Sequence, residues 1–409
     1  MMKCRFCNHE LTHEFIDLVN SPPSNSFLTQ EELNQPEGFF PLKLFVCERC
    51  FLVQIDEYKK SDEIFSDKYI YFSSFSKSWL EHAESYVEMI TRRLQLTYKS
   101  YVVEIASNDG YLLQYFREKN IPCLGIEPAK KTAEVARNKG IEVITEFFGV
   151  KLAEELAKQG RLADLLVGNN VLAHVPDIND FVKGLKMVLK KDGVVTLEFP
   201  HLLQLVKENQ FDTIYHEHFS YLSFHTVQRI FAAHGLHLFD VEELSTHGGS
   251  LRIYAKHRED GSKYMTSNVA DLLDREKAAG MTTLAYYQDF QGKANVVKYS
   301  LLSFLLEQKK GGKKVVAYGA AAKGNTLLNY CGVKKDLIEF VADASPYKRG
   351  TFLPGSHIPV VSEDLIRKTR PHFVLILPWN IKDEIMEQLQ YIKEWHAKFV
   401  IPIPKLSVT

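Results

Sequence analysis

No apolar run in this 409-residue chain approaches the roughly 20 residues a membrane-spanning helix needs; stretches such as Phe373–Leu377 are strand-sized. Charge of one sign is equally scarce. Lys and Arg number 50 against 51 Asp and Glu, a formal net charge of −1, so no broad field draws the chain to nucleic acid or an anionic membrane. Small-molecule chemistry is the default expectation. The opening residues, Met1-Met2-Lys3-Cys4-Arg5-Phe6-Cys7, lack the apolar core of a signal peptide, and the expected location is cytoplasmic. There are six cysteines, and in a reducing compartment they are thiols or metal ligands rather than disulfides. The length suffices for two or three cores.

Four of the six cysteines form two like pairs, Cys4-x-x-Cys7 and Cys47-x-x-Cys50. Each pair presents two thiolates from one tight turn, and two turns complete a tetrahedral structural zinc site. A redox role is the alternative, but it needs one pair at a helix start, and neither pair precedes a helical pattern. A four-thiolate site leaves no coordination position open for substrate. Its expected task is folding, since such sites bind zinc with roughly 10–16 kcal/mol and the first 60 or so residues show little regular apolar periodicity. Cys123 and Cys331 lie on or beside apolar segments and read as packing residues.

Beyond an aromatic and serine-rich connecting stretch, Tyr69 to Ser76, a helical face appears at Leu80, Ala83, Val87, Ile90 and Leu94. Strand and helix patterns then alternate: strands at Val102–Ile105, Cys123–Ile126, Ile141–Thr145, Leu165–Val167 and Val194–Phe199, with helices from about Tyr111 and Lys130. That alternation predicts a parallel sheet covered by helices on both faces, closed by an antiparallel edge pair, Leu236–Val241 and Ser250–Ala255. Apolar positions at helical spacing, including Tyr287, Phe290, Val297, Leu301 and Leu305, predict a helical connector. A second strand-turn-helix start follows at Val315 to Asn325, with further strands at Leu337–Asp343 and Phe373–Leu377 and a helix through Ile381, Ile385, Leu389 and Ile392. The expected division is 1–68, 69–258, 259–310 and 311–409.

The first of these starts, Val102-Val103-Glu104-Ile105-Ala106-Ser107-Asn108-Asp109-Gly110, and the next strand end, Leu124-Gly125-Ile126-Glu127-Pro128, have the layout of an adenosine-binding α/β unit. Small residues and Gly110 let the turn pass close under a ligand, and a carboxylate at the next strand tip accepts hydrogen bonds from ribose hydroxyls. A dinucleotide fingerprint, G-x-G-x-x-G, is absent from this turn. The pattern resembles the class I S-adenosylmethionine (SAM) methyltransferases. That resemblance places Glu104, Ala106, Asn108, Gly110, Tyr111, Glu127, Pro128 and Asn169 at the cofactor.

Acid–base groups concentrate in Tyr215-His216-Glu217-His218, and Asn169-Asn170-Val171-Leu172-Ala173-His174 follows the fourth strand of the sheet. Two segments thus offer imidazoles to one cleft. A metal site from His216, Glu217 and His218 is an alternative, weakened because alternate residues on an extended segment point to opposite sides.

Taken in order, the cysteine pairs, Glu104 to Gly110, Gly125 to Pro128, Tyr215 to His218, His247-Gly-Gly-Ser-Leu-Arg252 and Ala317-Tyr-Gly-Ala-Ala-Ala-Lys-Gly-Asn325 resemble, over nearly the whole chain, the zinc-containing C-methyltransferases acting on nucleotide-linked 4-ketohexoses. The resemblance implies an α/β protein of three parts: an N-terminal zinc-binding domain on Cys4, Cys7, Cys47 and Cys50, a class I SAM methyltransferase Rossmann-like domain, and a second Rossmann-like C-terminal domain helping to hold an NDP-4-keto-deoxysugar. It implies His218 as the base that removes the C3 proton, with Tyr215, Glu217, Asn170 and His174 around the sugar. Tyr71, His247, Gly319, Ala320, Lys323, Gly324, Asn325, Asp343 and Lys348 are the expected substrate contacts. NAD binding at Gly319–Gly324 is the competing expectation, against which stands the missing middle glycine. O- or N-methylation of another acceptor, and a zinc-stabilised scaffold, are the other readings of the chain.

Overall fold

The computed structural model describes residues 2–60, 63 and 72–409; Tyr71 lies outside them. Three sheets organise the described residues. The N-terminal lobe carries β1 (His13–Ser21), β2 (Phe40–Val46) and β3 (Val53–Ile55), paired antiparallel in that order. The central sheet is built from β4 (Val102–Ile105), β5 (Cys123–Ile126), β6 (Glu142–Ile144), β7 (Ala163–Asn169) and β8 (Leu189–Pro200), all parallel. The next strand, β9 (Ser220–Tyr221), leaves this sheet and pairs with β3, completing the N-terminal order β1-β2-β3-β9. A hairpin of β10 (Leu236–Leu244) and β11 (Ser250–His257) then joins the central sheet, β11 antiparallel to β8, giving the order β10-β11-β8-β7-β4-β5-β6.

The central strands are apolar along their length because both faces are covered. Val102, Val103, Leu165, Leu166, Val194 and Val195 are fully or almost fully buried. One covering helix, Lys77–Leu94, begins on a Ser76 side chain that accepts the Trp79 N–H, and it buries Ala83, Tyr86, Val87 and Ile90 against the sheet. The helices Ser267–Ala278 and Phe290–Lys310 lead to the third sheet. It contains β12 (Val315–Tyr318), β13 (Val341–Ala342), β14 (Val360–Val361), β15 (Phe373–Ile376), β16 (Lys398–Ile401) and β17 (Ser407–Val408), in the order β14-β13-β12-β15-β16-β17 with only β17 antiparallel. The strand expected over Leu337–Asp343 contracts to β13, because the chain turns at Lys335–Leu337 and runs without ladder pairing until Val341. Among the described residues no helix is long and apolar enough to cross a membrane.

Both parallel sheets reverse their strand order at one place, between β4 and β7 and between β12 and β15. In open α/β sheets, ligands enter the crevice outside the carboxyl ends of the strands at such a reversal. Here the two crevices open into the same cavity.

Candidate active site and metal centre

The four knuckle cysteines converge, with all four sulfurs within 4.8 Å of one another. Cys4 Sγ lies 3.5 Å from Cys50 Sγ, and Cys7 Sγ 3.6 Å from Cys47 Sγ. A tetrahedral zinc with bonds of about 2.3 Å sets its sulfurs about 3.8 Å apart, so the donor set fits the ion. The two turns are built alike. Asn8 N–H donates to Cys4 O at 2.9 Å and Phe51 N–H to Cys47 O at 2.8 Å, and Asn8 and Phe51 both take left-handed backbone at φ 58° and 60°. No helix starts at either pair, which removes the structural basis for the redox alternative.

The cavity between the two sheets has a volume of about 520 Å³. Its methyltransferase-side floor is the turn after β4, where Ala106, Asn108 and Gly110 all have positive φ, 58°, 50° and 75°. A side chain at Gly110 would be strained by that backbone and would strike Ile141 and Ala136. Glu127, at the end of β5, is almost fully buried and ties the floor together: its Oε2 accepts the Asn108 N–H and its Oε1 the Ala129 N–H, both at 2.9 Å. Burial raises the Glu127 carboxyl above its ordinary range, against those two N–H donors. Ala106, Asn108, Tyr111, Glu127, Pro128 and Asn169 line the cavity. Glu104 and Gly110 lie beneath it. Burial holds the Glu104 carboxyl well above the usual range, opposed by a side-chain hydrogen bond with Tyr111.

The segment after β8 brings the titratable groups in. His218 Nδ1 lies 3.0 Å from Thr213 O, and His174 Nδ1 2.8 Å from Glu217 O. A carbonyl only accepts, so in each ring Nδ1 carries the proton and Nε2 holds the lone pair. The two imidazoles stand 4.6 Å apart between centroids, and the Tyr215 ring lies 4.1 Å from His218. Burial first, then His174, pushes His218 well below its ordinary range, and burial takes His174 to about 4. Burial lifts the Glu217 carboxyl to about 7, opposed by Asn25. Asn170 Nδ2 is 3.0 Å from His247 Nε2, and Asn170, His174, Tyr215, Glu217, His218 and His247 all line the cavity. His216 faces the other way, its Nε2 3.2 Å from Pro41 O, so His216, Glu217 and His218 do not converge on a metal.

From the third sheet Lys323 and Lys348 reach the cavity. Lys323 Nζ donates to Asn380 Oδ1 at 2.7 Å, and burial lowers its pKa, opposed by Asp212. The other expected contacts there do not line the cavity. Asp343 closes its own turn, Oδ2 accepting Ala320 N–H at 2.7 Å and Oδ1 Ser345 N–H at 2.8 Å. Gly319 and Gly324 allow close packing on Pro378 and Leu377. Asn325 Nδ2 donates to Ser24 O at 2.6 Å. Among the cavity-lining residues outside the expected set are Asn25, Trp79 and Asn380. Trp79 stacks at 5.8 Å on Tyr111.

Against known proteins, 406 residues are 34% identical to the C-methyltransferase NovU of Streptomyces niveus, covering 99% of this chain and 96% of that one. The chain belongs to the C-methyltransferase family. Family models match in the same sense: "Putative zinc binding domain" at residues 4–65, "Methyltransferase domain" at 79–241 and "C-methyltransferase C-terminal domain" at 245–404. Among solved structures, PH0226 from Pyrococcus horikoshii is 13% identical with a TM-score of 0.39, over 49% of this chain and 99% of that one. A SAM-dependent methyltransferase from Clostridium acetobutylicum is 11% identical with a TM-score of 0.36, over 44% and 92%. This C-methyltransferase is SAM-dependent, and the residues on the floor of its cavity fit the donor: small turn residues beneath it and a buried carboxylate at the neighbouring strand tip.

Proposed function

We propose that this enzyme transfers a methyl group from SAM to C3 of an NDP-4-keto-deoxyhexose, producing a branched nucleotide sugar. The observation that carries the reading is His218, a buried imidazole fixed by Thr213 O with its basic Nε2 in a cavity fed by two nucleotide-type crevices. On this reading, residues 1–68 form the zinc lobe, 69–258 the methyltransferase part, 259–310 a connector and 311–409 the part that holds the nucleotide. A reducing cytoplasm keeps the four thiols available to zinc.

SAM, when bound, supplies an electrophilic methyl group. The chain's task is to make carbon nucleophilic. His218 Nε2 takes the proton as the C3–H bond breaks, and the electron pair delocalises onto the C4 oxygen. Burial favours the neutral ring that this step requires. Tyr215 and Asn170 face the developing oxyanion as donors, and Glu217 and His174 orient the sugar. A positioned base contributes typically about 10²–10⁴-fold and each oxyanion donor about 10²–10³-fold, so the site needs both. Lys323 and Lys348 are assigned to the diphosphate.

The test is mass spectrometry of dTDP- and GDP-4-keto-6-deoxyhexoses incubated with the enzyme in deuterated water, with and without SAM. Methylation of one of them is expected with SAM, and deuterium uptake at C3 without it. His218→Ala should abolish both and leave SAM affinity nearly intact; turnover near the wild-type rate in that variant would refute the assignment.

A further inference from the structure

Glu217 is 5% exposed, and both of its oxygens are bonded by a single side chain. Asn25 Nδ2 donates at 2.9 Å to Oε1 and at 2.8 Å to Oε2. Asn25 belongs to the knuckle lobe, 192 positions away in sequence, and it lines the cavity. Its neighbour fixes the approach. Ser24 O accepts the Asn325 amide at 2.6 Å, and Ser24 Oγ lies 3.4 Å from Thr326 Oγ1, which itself donates to Ile214 O at 2.8 Å. The turn at Ser24-Asn25 is therefore wedged between the helix Ala322–Cys331 and the segment that carries Tyr215 to His218.

The pairing has a chemical direction. One amide NH2 donating to both oxygens matches a carboxylate, whereas a protonated carboxyl would turn one O–H toward a donor. The groups facing Glu217 are Asn25 and the Lys59 charge from the N-terminal lobe, His174 on the Glu217 carbonyl, and His218 next along the chain. Burial alone favours the protonated acid, and Asn25 opposes it most.

We propose that Asn25 is a positioning residue for the reaction: it holds Glu217 as a carboxylate in the cavity wall, where Glu217 accepts a hydrogen bond from a hydroxyl of the acceptor substrate. The knuckle lobe then takes part in turnover as well as in folding. The proposal rests on the assignment of this cavity to the acceptor.

The experiment uses the full-length, zinc-loaded protein labelled at Glu carboxyls with ¹³C. The Glu217 signal is identified by its loss in Glu217→Gln. In Asn25→Ala that carboxyl should titrate about one pH unit higher than in the wild type. The acid limb of kcat/KM should move with it, so that the loss of activity is several-fold greater near pH 6 than near pH 9. Should Asn25→Ala not fold, Asn25→Asp places a second carboxyl against the first and should raise the titration further. An unmoved carboxyl titration, or a kcat/KM loss equal at all pH values, overturns the proposal. The titration needs no sugar: a shifted carboxyl in a protein that methylates no keto sugar sustains the Asn25 pairing and counts against the acceptor instead.

Discussion

Glu127→Gln exchanges one oxygen for an NH2 group where the fold has no place for a donor. In the wild type each carboxylate oxygen accepts a backbone N–H, from Asn108 and from Ala129, at 2.9 Å. The amide serves only one. The other N–H then faces an NH2 group and is left unsatisfied, at a cost of about 1–3 kcal/mol. Removing a charge whose burial is unfavourable offsets part of that, so the melting temperature should change little. The ribose side has no such compensation. With Glu127 assigned to the SAM ribose, as proposed from its place at the strand tip, the hydroxyls lose a charged acceptor worth about 1.5–3 kcal/mol, which is a 10- to 10²-fold rise in the Kd for SAM. Calorimetric titration of SAM and S-adenosylhomocysteine into both proteins measures it directly. A Kd within about twofold of wild type, in a protein that melts normally, would refute the assignment of Glu127 to the ribose.

Asp212 predicts a pH dependence of stability. It is fully buried, its Oδ2 accepts the Trp379 indole N–H at 2.8 Å, and burial lifts its carboxyl from 3.8 to about 7, opposed by Lys323 and the indole. The folded state thus binds this proton more tightly than the unfolded chain, so the wild type loses stability as pH rises from about 4 to about 7. Asp212→Asn keeps an acceptor for Trp379 and removes that slope; urea melts should show it gaining roughly 2–4 kcal/mol on the wild type between pH 4 and pH 8, and an offset equal at both would sink the argument. Metal analysis should find one zinc per chain, lost in Cys7→Ser or on strong chelation with a large fall in melting temperature, because such sites contribute roughly 10–16 kcal/mol. A chelated protein that melts unchanged would contradict a structural role.

The central sheet was legible because its signal is local. Val102–Ile105 and Cys123–Ile126 are continuous apolar runs bounded by turns, and both are strands over those residues. The N-terminal sheet was not. β1 pairs with β2 through irregularities between Glu14 and Ile16 and between Asp17 and Asn20, and Val19 points into solvent with φ 64°, so alternation never shows in the sequence. At the site, the alternation of Tyr215 to His218 correctly separated His216 from His218. The Gly319 turn reads correctly as a strand-turn-helix start, while its glycines and Asp343 pack and close the turn without lining the cavity. Asn25 carried no signal at all: in Ser21-Pro22-Pro23-Ser24-Asn25 an asparagine reads only as a turn former. Its neighbours come from residues far along the chain, which no local pattern encodes.

The two residues of β9 have a consequence for how this enzyme can be divided. Ser220 and Tyr221 pair with Gln54 and Val53, and Ile55 N–H bonds Phe219 O at 3.2 Å. The strand begins two positions after His218, so the edge of the N-terminal lobe is the bench to which the proposed proton acceptor is clamped. A gene fragment that encodes the methyltransferase sheet without its first 60 or so residues would leave that clamp open. Such a fragment would keep the donor's floor around Glu127 and lose the alignment of the base above it: a SAM binder that transfers nothing.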